Sequence, residues 1–252
     1  MPILAMAMQK GGVGKTTTTL AVGVELARMG RRVLLVDADP QSNLTMIAGY
    51  DPATISLSIA DVLAEGPAHI HQAIIQTTYG VHLLPATLSL AGAEPILSGR
   101  IGRELLLRAA LREVREQYDY ILIDSPPNLG LFTLNVLAAA DAVIVPLQAH
   151  VLAFKALPQL EQTIQLVRQL NPVIQIGGII VTMVDKRTMV NQEVEDAARQ
   201  QYGSLVFETV VPFTVRLVEA PAAAQPISVY APDSTGAKAY LAIAQEVARR
   251  YG

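Results

Sequence analysis

"AMQKGGVGKTTTTL", residues 7–20, decides how the rest of the chain is to be read. It has the shape of a phosphate loop, G-x-x-x-x-G-K-[ST], closing on Gly14, Lys15 and Thr16. Gln9 stands where the first glycine belongs, and a second lysine, Lys10, follows it. Gly11, Gly12 and Gly14 let the backbone bend around phosphate oxygens with successive N–H groups pointing inward, and the helix that follows offers its positive N-terminus. Lys15 supplies a point charge for the β- and γ-phosphates, and Thr16 a hydroxyl for Mg²⁺. A dinucleotide loop, G-x-G-x-x-G, fits less well: Gly12 and Gly14 begin it, but Thr17 occupies the third glycine and the Lys15–Thr16 pair goes unused.

Outward from this loop, short aliphatic runs alternate with longer helical patterns. Ile3–Met8, Val33–Asp37, Val81–Pro85, Tyr120–Asp124, Ala142–Pro146 and Ile176–Val184 read as strands. Several are apolar throughout, as expected where both faces of a parallel sheet are covered. Lys15–Met29, stopped by Gly30, reads as a helix, as do Arg103–Gln117 and Phe154–Leu170. The rhythm predicts an α/β fold: a doubly wound, mostly parallel central sheet with helices on both faces and ligands at the carboxyl ends of the strands. Residues 43–93 are the least regular stretch, and no repeat or linker interrupts the chain, so a single domain over residues 1–252 is expected.

Composition narrows the chemistry. A chain of 252 residues that is 51% hydrophobic can bury a large core. It has no cysteine, which excludes disulfides, thiolate metal sites, iron–sulfur ligation and cysteine nucleophiles, and suggests an intracellular setting. Mean hydropathy is +0.36, yet no apolar run approaches the roughly 18 residues of a spanning helix. "MPILAMAM" reads as a first strand, not a signal segment. With a net charge of −3 and a pI near 5.8, any nucleic-acid contact has to come from a local patch.

Two further segments place acid at strand ends. "VLLVDADPQ", residues 33–41, sets Asp37 and Asp39 at the end of the second strand, and Pro40 keeps Asp39 extended. "YDYILIDSPPNLG", residues 118–130, ends an apolar strand in Asp124, which has the position and character of a carboxylate holding Mg²⁺ behind a phosphate loop. The paired prolines and Gly130 make a loop with a stiff part and a pivot, suited to sensing a γ-phosphate. His69 and His71, two apart, point to different helix faces and do not suggest a metal site, and Glu193, Glu195 and Asp196 read as the wet face of a helix.

Residues 10–43, 118–148, 181–188 ("VTMVDKRT") and 211–247 (opening "VPFTVRLVEAPAAAQPISVY") resemble, in order and spacing, the ParA (Soj-like) family of partition ATPases. The resemblance implies ATP and Mg²⁺ as cofactors, with slow hydrolysis of ATP. It implies that Lys10 is the signature lysine of a deviant Walker loop, reaching the nucleotide of the partner in an ATP-bound homodimer. Two facing triphosphates would otherwise repel, so a lysine from across the interface makes ATP binding and dimerisation one event. The resemblance assigns the cradle to Lys10–Thr17, Val13 and Thr17 included. It also assigns Asp39 to the attacking water, Asp124 to the metal, and Met183 and Pro212 to the base. Arg187 and Arg216 match arginines for nonspecific double-stranded DNA. Where relatives often read I-P-R-N-V-R-L, this chain reads "VPFTVRL": Phe213 replaces a basic residue, and Lys186 is a substitute.

The implied setting is the cytoplasm, on the nucleoid, with a ParB-type partner and a chromosome or plasmid as cargo. Two other classes fit less well. A MinD-like membrane-surface ATPase, or one positioning a protein cargo, shares the loop. Tyr240, Ala244, Val247 and Tyr251, however, form a stripe better read as core packing than as a lipid-binding face, so no membrane contact is expected. A ligase or reductase component shares the scaffold, but reductase relatives need cysteine ligands.

Overall fold

Alternate residues of β1 (Ile3–Met6) face opposite sides of a sheet: Ile3 and Ala5 join one apolar layer, Leu4 and Met6 the other. The same division runs through β2 (Val33–Asp37), β5 (Tyr120–Asp124) and β6 (Ala142–Gln148), whose residues are almost all buried. A strand that is apolar on both faces has to lie between two layers, which is how a continuous aliphatic run becomes a central parallel strand. The computed structural model describes residues 1–252. It completes the sheet with β3 (Ile75–Gln76), β4 (His82–Leu84) and β7 (Ile176–Thr182) in the order β3-β4-β2-β5-β1-β6-β7. Every pairing is parallel except β3 with β4, at one edge.

This order sets the site. β2, β5 and β1 are neighbours, with Met6 and Asp37 both in register with Asp124, so the loops after these strands leave the same edge side by side. One apolar layer includes the helix Lys15–Arg28 and the C-terminal helix Thr235–Tyr251. The other includes Leu106–Val114, Leu131–Ala139 and Leu157–Val167. Tyr240, Ala244 and Val247 are at most 2% exposed, so the expected stripe on the C-terminal helix packs inward.

The structure differs from the sequence reading at several boundaries. β1 stops at Met6, and the Ala7 N–H makes a last bond to the Ile144 carbonyl of β6 at 3.2 Å before the loop opens. β7 ends at Thr182, where Met183 turns into left-handed backbone at φ 56°. Arg103–Gln117 is an α-helix, Leu106–Val114, between two 3₁₀ turns. Of the expected helix Phe154–Leu170, Leu157–Val167 is α-helical, with Pro158 in its first turn where no N–H is needed, and Phe154 instead ends a separate short helix, Val151–Phe154. The irregular stretch 43–93 folds into short helices and the edge strands β3 and β4. No group of three or more metal-ligating side chains forms, around His69 and His71 or elsewhere.

Candidate active site

The loop after β1 gains its shape from two glycines in left-handed backbone, Gly12 at φ 73° and Gly14 at φ 92°, which a side chain would strain. Gly14 caps the helix Lys15–Arg28 through its carbonyl, which accepts the Thr18 N–H at 2.9 Å. Val13 is fully buried, and its carbonyl accepts the Thr182 hydroxyl at 2.9 Å, which ties the loop to the end of β7. Val13 supports the loop from below and does not line the cavity.

Gly11, Gly12, Gly14, Lys15, Thr16, Thr17, Asp39 and Met183 surround one cavity of about 420 Å³. Lys15 is 7% exposed, and burial lowers its pKa while Asp124 and Asp39 raise it. Its Nζ reaches only the carbonyl of Lys10, at 3.5 Å, a long contact that leaves the ammonium short of an anion. Asp39 is 6% exposed, and its Oδ1 accepts the Gln41 N–H at 3.0 Å. Beneath it Asp37, fully buried, accepts the Asp39 N–H at 3.2 Å and both the N–H and hydroxyl of Thr45, at 2.8 and 2.7 Å. Burial pushes Asp37 up to about 7 against those donors.

Asp124 stands beside Asp37 on β5 with both oxygens buried and without a hydrogen-bond partner. Burial first, then Asp37, raises its pKa well above the usual carboxylate range. The Thr16 hydroxyl comes near enough to oppose this, but neither oxygen completes a hydrogen bond in regular geometry. A buried, unpaired carboxylate next to a hydroxyl and a lysine is costly unless a cation joins it. The pair fits Mg²⁺, which takes one or two protein oxygens and fills its remaining positions with water and phosphate.

Besides Val13, three of the sequence-predicted nucleotide-site residues do not line this cavity. Lys10 is turned away from this cavity: its Nζ donates to Gln148 Oε1 at 3.2 Å and lines a separate hollow of about 440 Å³ with Pro127, Asn128, Leu129 and Leu152. Pro212 lines a small apolar pocket of about 70 Å³ with Phe213, Leu217 and Tyr240, which shares Gly14, Thr17 and Met183 with the main cavity. Asp124 lies at the buried floor and does not line the main cavity. Gly130 adopts ordinary extended backbone, hemmed by Glu94, whose Oε1 accepts the Leu131 N–H at 3.4 Å.

The cavity also includes Pro127, one of the paired prolines expected near the γ-phosphate, and Gln41, Asn43, Ile47 and Pro221, which sequence reasoning did not single out. Gln41 and Asn43 follow the strand-end aspartates closely enough for proximity to have suggested them. Nothing in the sequence pointed to Pro221. Arg187 and Arg216 stand on loops that meet where Val184 pairs with Pro212, and their side chains are 88% and 58% exposed.

A family profile described as an AAA domain matches residues 1–176. The sporulation initiation inhibitor protein Soj of Bacillus subtilis is 44% identical over 98% of both chains. The chromosome partitioning protein ParA of Caulobacter vibrioides is 42% identical over 98% of this chain and 94% of its own. The solved structure of cobyrinic acid a,c-diamide synthase from Mycobacterium smegmatis, with bound ADP and magnesium, is 39% identical. It superposes with a TM-score of 0.87 over 100% of this chain and 95% of its own.

Proposed function

Because the chain belongs to the ParA (Soj-like) family of P-loop ATPases, we propose that it is a partition switch: two ATP-bound subunits pair, hold double-stranded DNA without regard to sequence, and let go on hydrolysis. It is an ATPase with ATP and Mg²⁺ as cofactors. The observation that carries the pairing is the direction of Lys10, whose ammonium leaves its own phosphate cavity for a hollow rimmed by the exposed apolar side chains of Leu129 and Leu152. A lysine so placed serves a phosphate that arrives from outside the subunit.

The remaining residues divide the chemistry. Gly12, Gly14 and the N-terminus of the helix Lys15–Arg28 present N–H groups to the phosphates, and Lys15 exchanges its long carbonyl contact for a β/γ oxygen. Thr16 and Asp124 would hold Mg²⁺, which would supply positive charge against the phosphates. Asp39, anchored from below by Asp37 and Thr45, orients water at the γ end. Met183 and Pro212 flank the base beside the apolar pocket. Arg187, Arg216 and Lys186 meet DNA phosphates, a ParB-type partner accelerates release, and the protein works on the nucleoid.

A membrane-surface role has less support, since Tyr240, Ala244 and Val247 of the C-terminal stripe are buried. Sedimentation and duplex-DNA binding with ATP, with ADP and without nucleotide test the proposal. ATP alone is expected to give both the dimer and tight DNA binding, and equal DNA binding in all three states overturns the switch.

A further inference from the structure

Each arginine assigned above to DNA is already engaged by a carboxylate of its own loop. Arg187 forms a two-pronged pair with Asp185, Nε to Oδ1 at 2.9 Å and Nη2 to Oδ2 at 2.8 Å, while its backbone N–H closes on Oδ1 at 3.0 Å. Arg216 gives Nη1 to Glu219 Oε2 at 2.8 Å, one turn along the helix Arg216–Ala222, and Glu219 also accepts the Tyr230 hydroxyl at 3.2 Å. The two loops form one surface, because Val184 pairs with Pro212 and the Phe213 N–H donates to the Val184 carbonyl at 2.9 Å. The Arg187 guanidinium holds the Asp185 carboxyl down to about 2, so this pair stays charged across the working pH range.

Arg187, a planar guanidinium gripped by two oxygens, has the geometry of a bidentate bond to phosphate, while Arg216 meets one carboxylate oxygen as it would one phosphate oxygen. We propose that Asp185 and Glu219 are internal stand-ins for DNA phosphate, so that duplex binding by this face exchanges carboxylate for phosphate on both arginines instead of simply adding phosphates to free cations. The inference rests on the reading of this face as the DNA face. It deepens that reading: without DNA the two pairs carry no net charge, which suits a chain whose overall charge is −3. The exchange is feasible because exposed pairs are weak, so each carboxylate holds back DNA affinity by no more than about fivefold.

The test is a double-mutant cycle on the full chain with ATP, titrating a duplex of arbitrary sequence at low salt. Asp185→Asn keeps one acceptor oxygen for the Arg187 backbone N–H and loses the second prong to the guanidinium, Glu219→Gln keeps one acceptor for the Tyr230 hydroxyl, and a cooperative melting curve for each verifies the fold. Each is expected to tighten DNA binding about two- to fivefold in the presence of its arginine. In the Arg187→Ala or Arg216→Ala background the same substitution should add nothing beyond the small gain from removing any exposed carboxylate, with Glu116→Gln as the reference. Equal gains with and without the arginine overturn the inference, because the effect is then bulk charge. If the arginine variants weaken DNA binding but the carboxylate variants change nothing, the exchange alone is wrong. Arginine variants that bind DNA normally overturn the exchange and the assignment of the face together.

Discussion

Lys15 and Lys10 come from one loop, yet one ammonium is buried at the floor of the cavity and the other points out of it. Lys15→Ala removes at least two charge-assisted phosphate contacts, so calorimetry should find ATP affinity reduced about a hundredfold or more. Lys10→Ala should bind ATP within a few-fold of normal and stay monomeric in sedimentation, and an ATP-dependent dimer from this variant would refute the role across the interface. Asp39→Ala should keep ATP and lose about a hundredfold or more in turnover, the usual share of a group that positions the proton transfer. Loss of ATP binding instead would make Asp39 structural. The presence of both lysines was legible in residues 7–20, because loop chemistry is local. The direction of Lys10 was not, since it depends on Gln148, which the fold brings from 138 residues away. The hidden role of Asp37, gripping Thr45 below Asp39, needed tertiary contacts in the same way.

Whole elements were legible where one force dominates. β2 and β5 are bounded as expected because each is apolar on both faces and ends at an aspartate. The helix expected over Phe154–Leu170 is present as Leu157–Val167, but its start was misplaced, because the apolar period runs on across the boundary that Pro158 marks in the backbone. In residues 43–93 each short helix leans on a neighbour more than on its own pattern. β7 shows how tightly the elements fit: a β-carbon at Gly178 would collide with the fully buried Phe207 ring, over which the Arg250 guanidinium lies at 4.2 Å. Gly178→Ala should therefore destabilise the protein by about 1–3 kcal/mol, the usual cost of overfilling a packed core. A denaturant titration measures it, and an unchanged midpoint would mean that the ring moves freely.

For the molecule as a whole, the arginine face makes a quantitative demand. If each of two arginines per subunit neutralises one phosphate, a dimer makes about four contacts and the log–log salt slope is roughly −3.6, about a hundredfold loss between ~50 and ~200 mM salt. Replacing Arg187 and Arg216 by alanine should flatten that slope while ATP-dependent sedimentation is unchanged, and an unaltered slope would move the contact elsewhere. The α/β layering was legible from alternating runs, but the order of the strands is set by long-range pairing that the runs do not encode, and the meeting of the 183–187 and 212–216 loops is likewise a long-range pairing with no local signature. Met183 stands at that meeting. Its left-handed backbone walls both the phosphate cavity and the apolar pocket, and Arg187 follows four residues on. Coupling through such a shared wall has to run both ways: whatever factor ATP lends to the grip on DNA, DNA returns to the grip on ATP. A subunit seated on a duplex would then bind its nucleotide more tightly than one adrift, so DNA would act as a reservoir of nucleotide-loaded subunits.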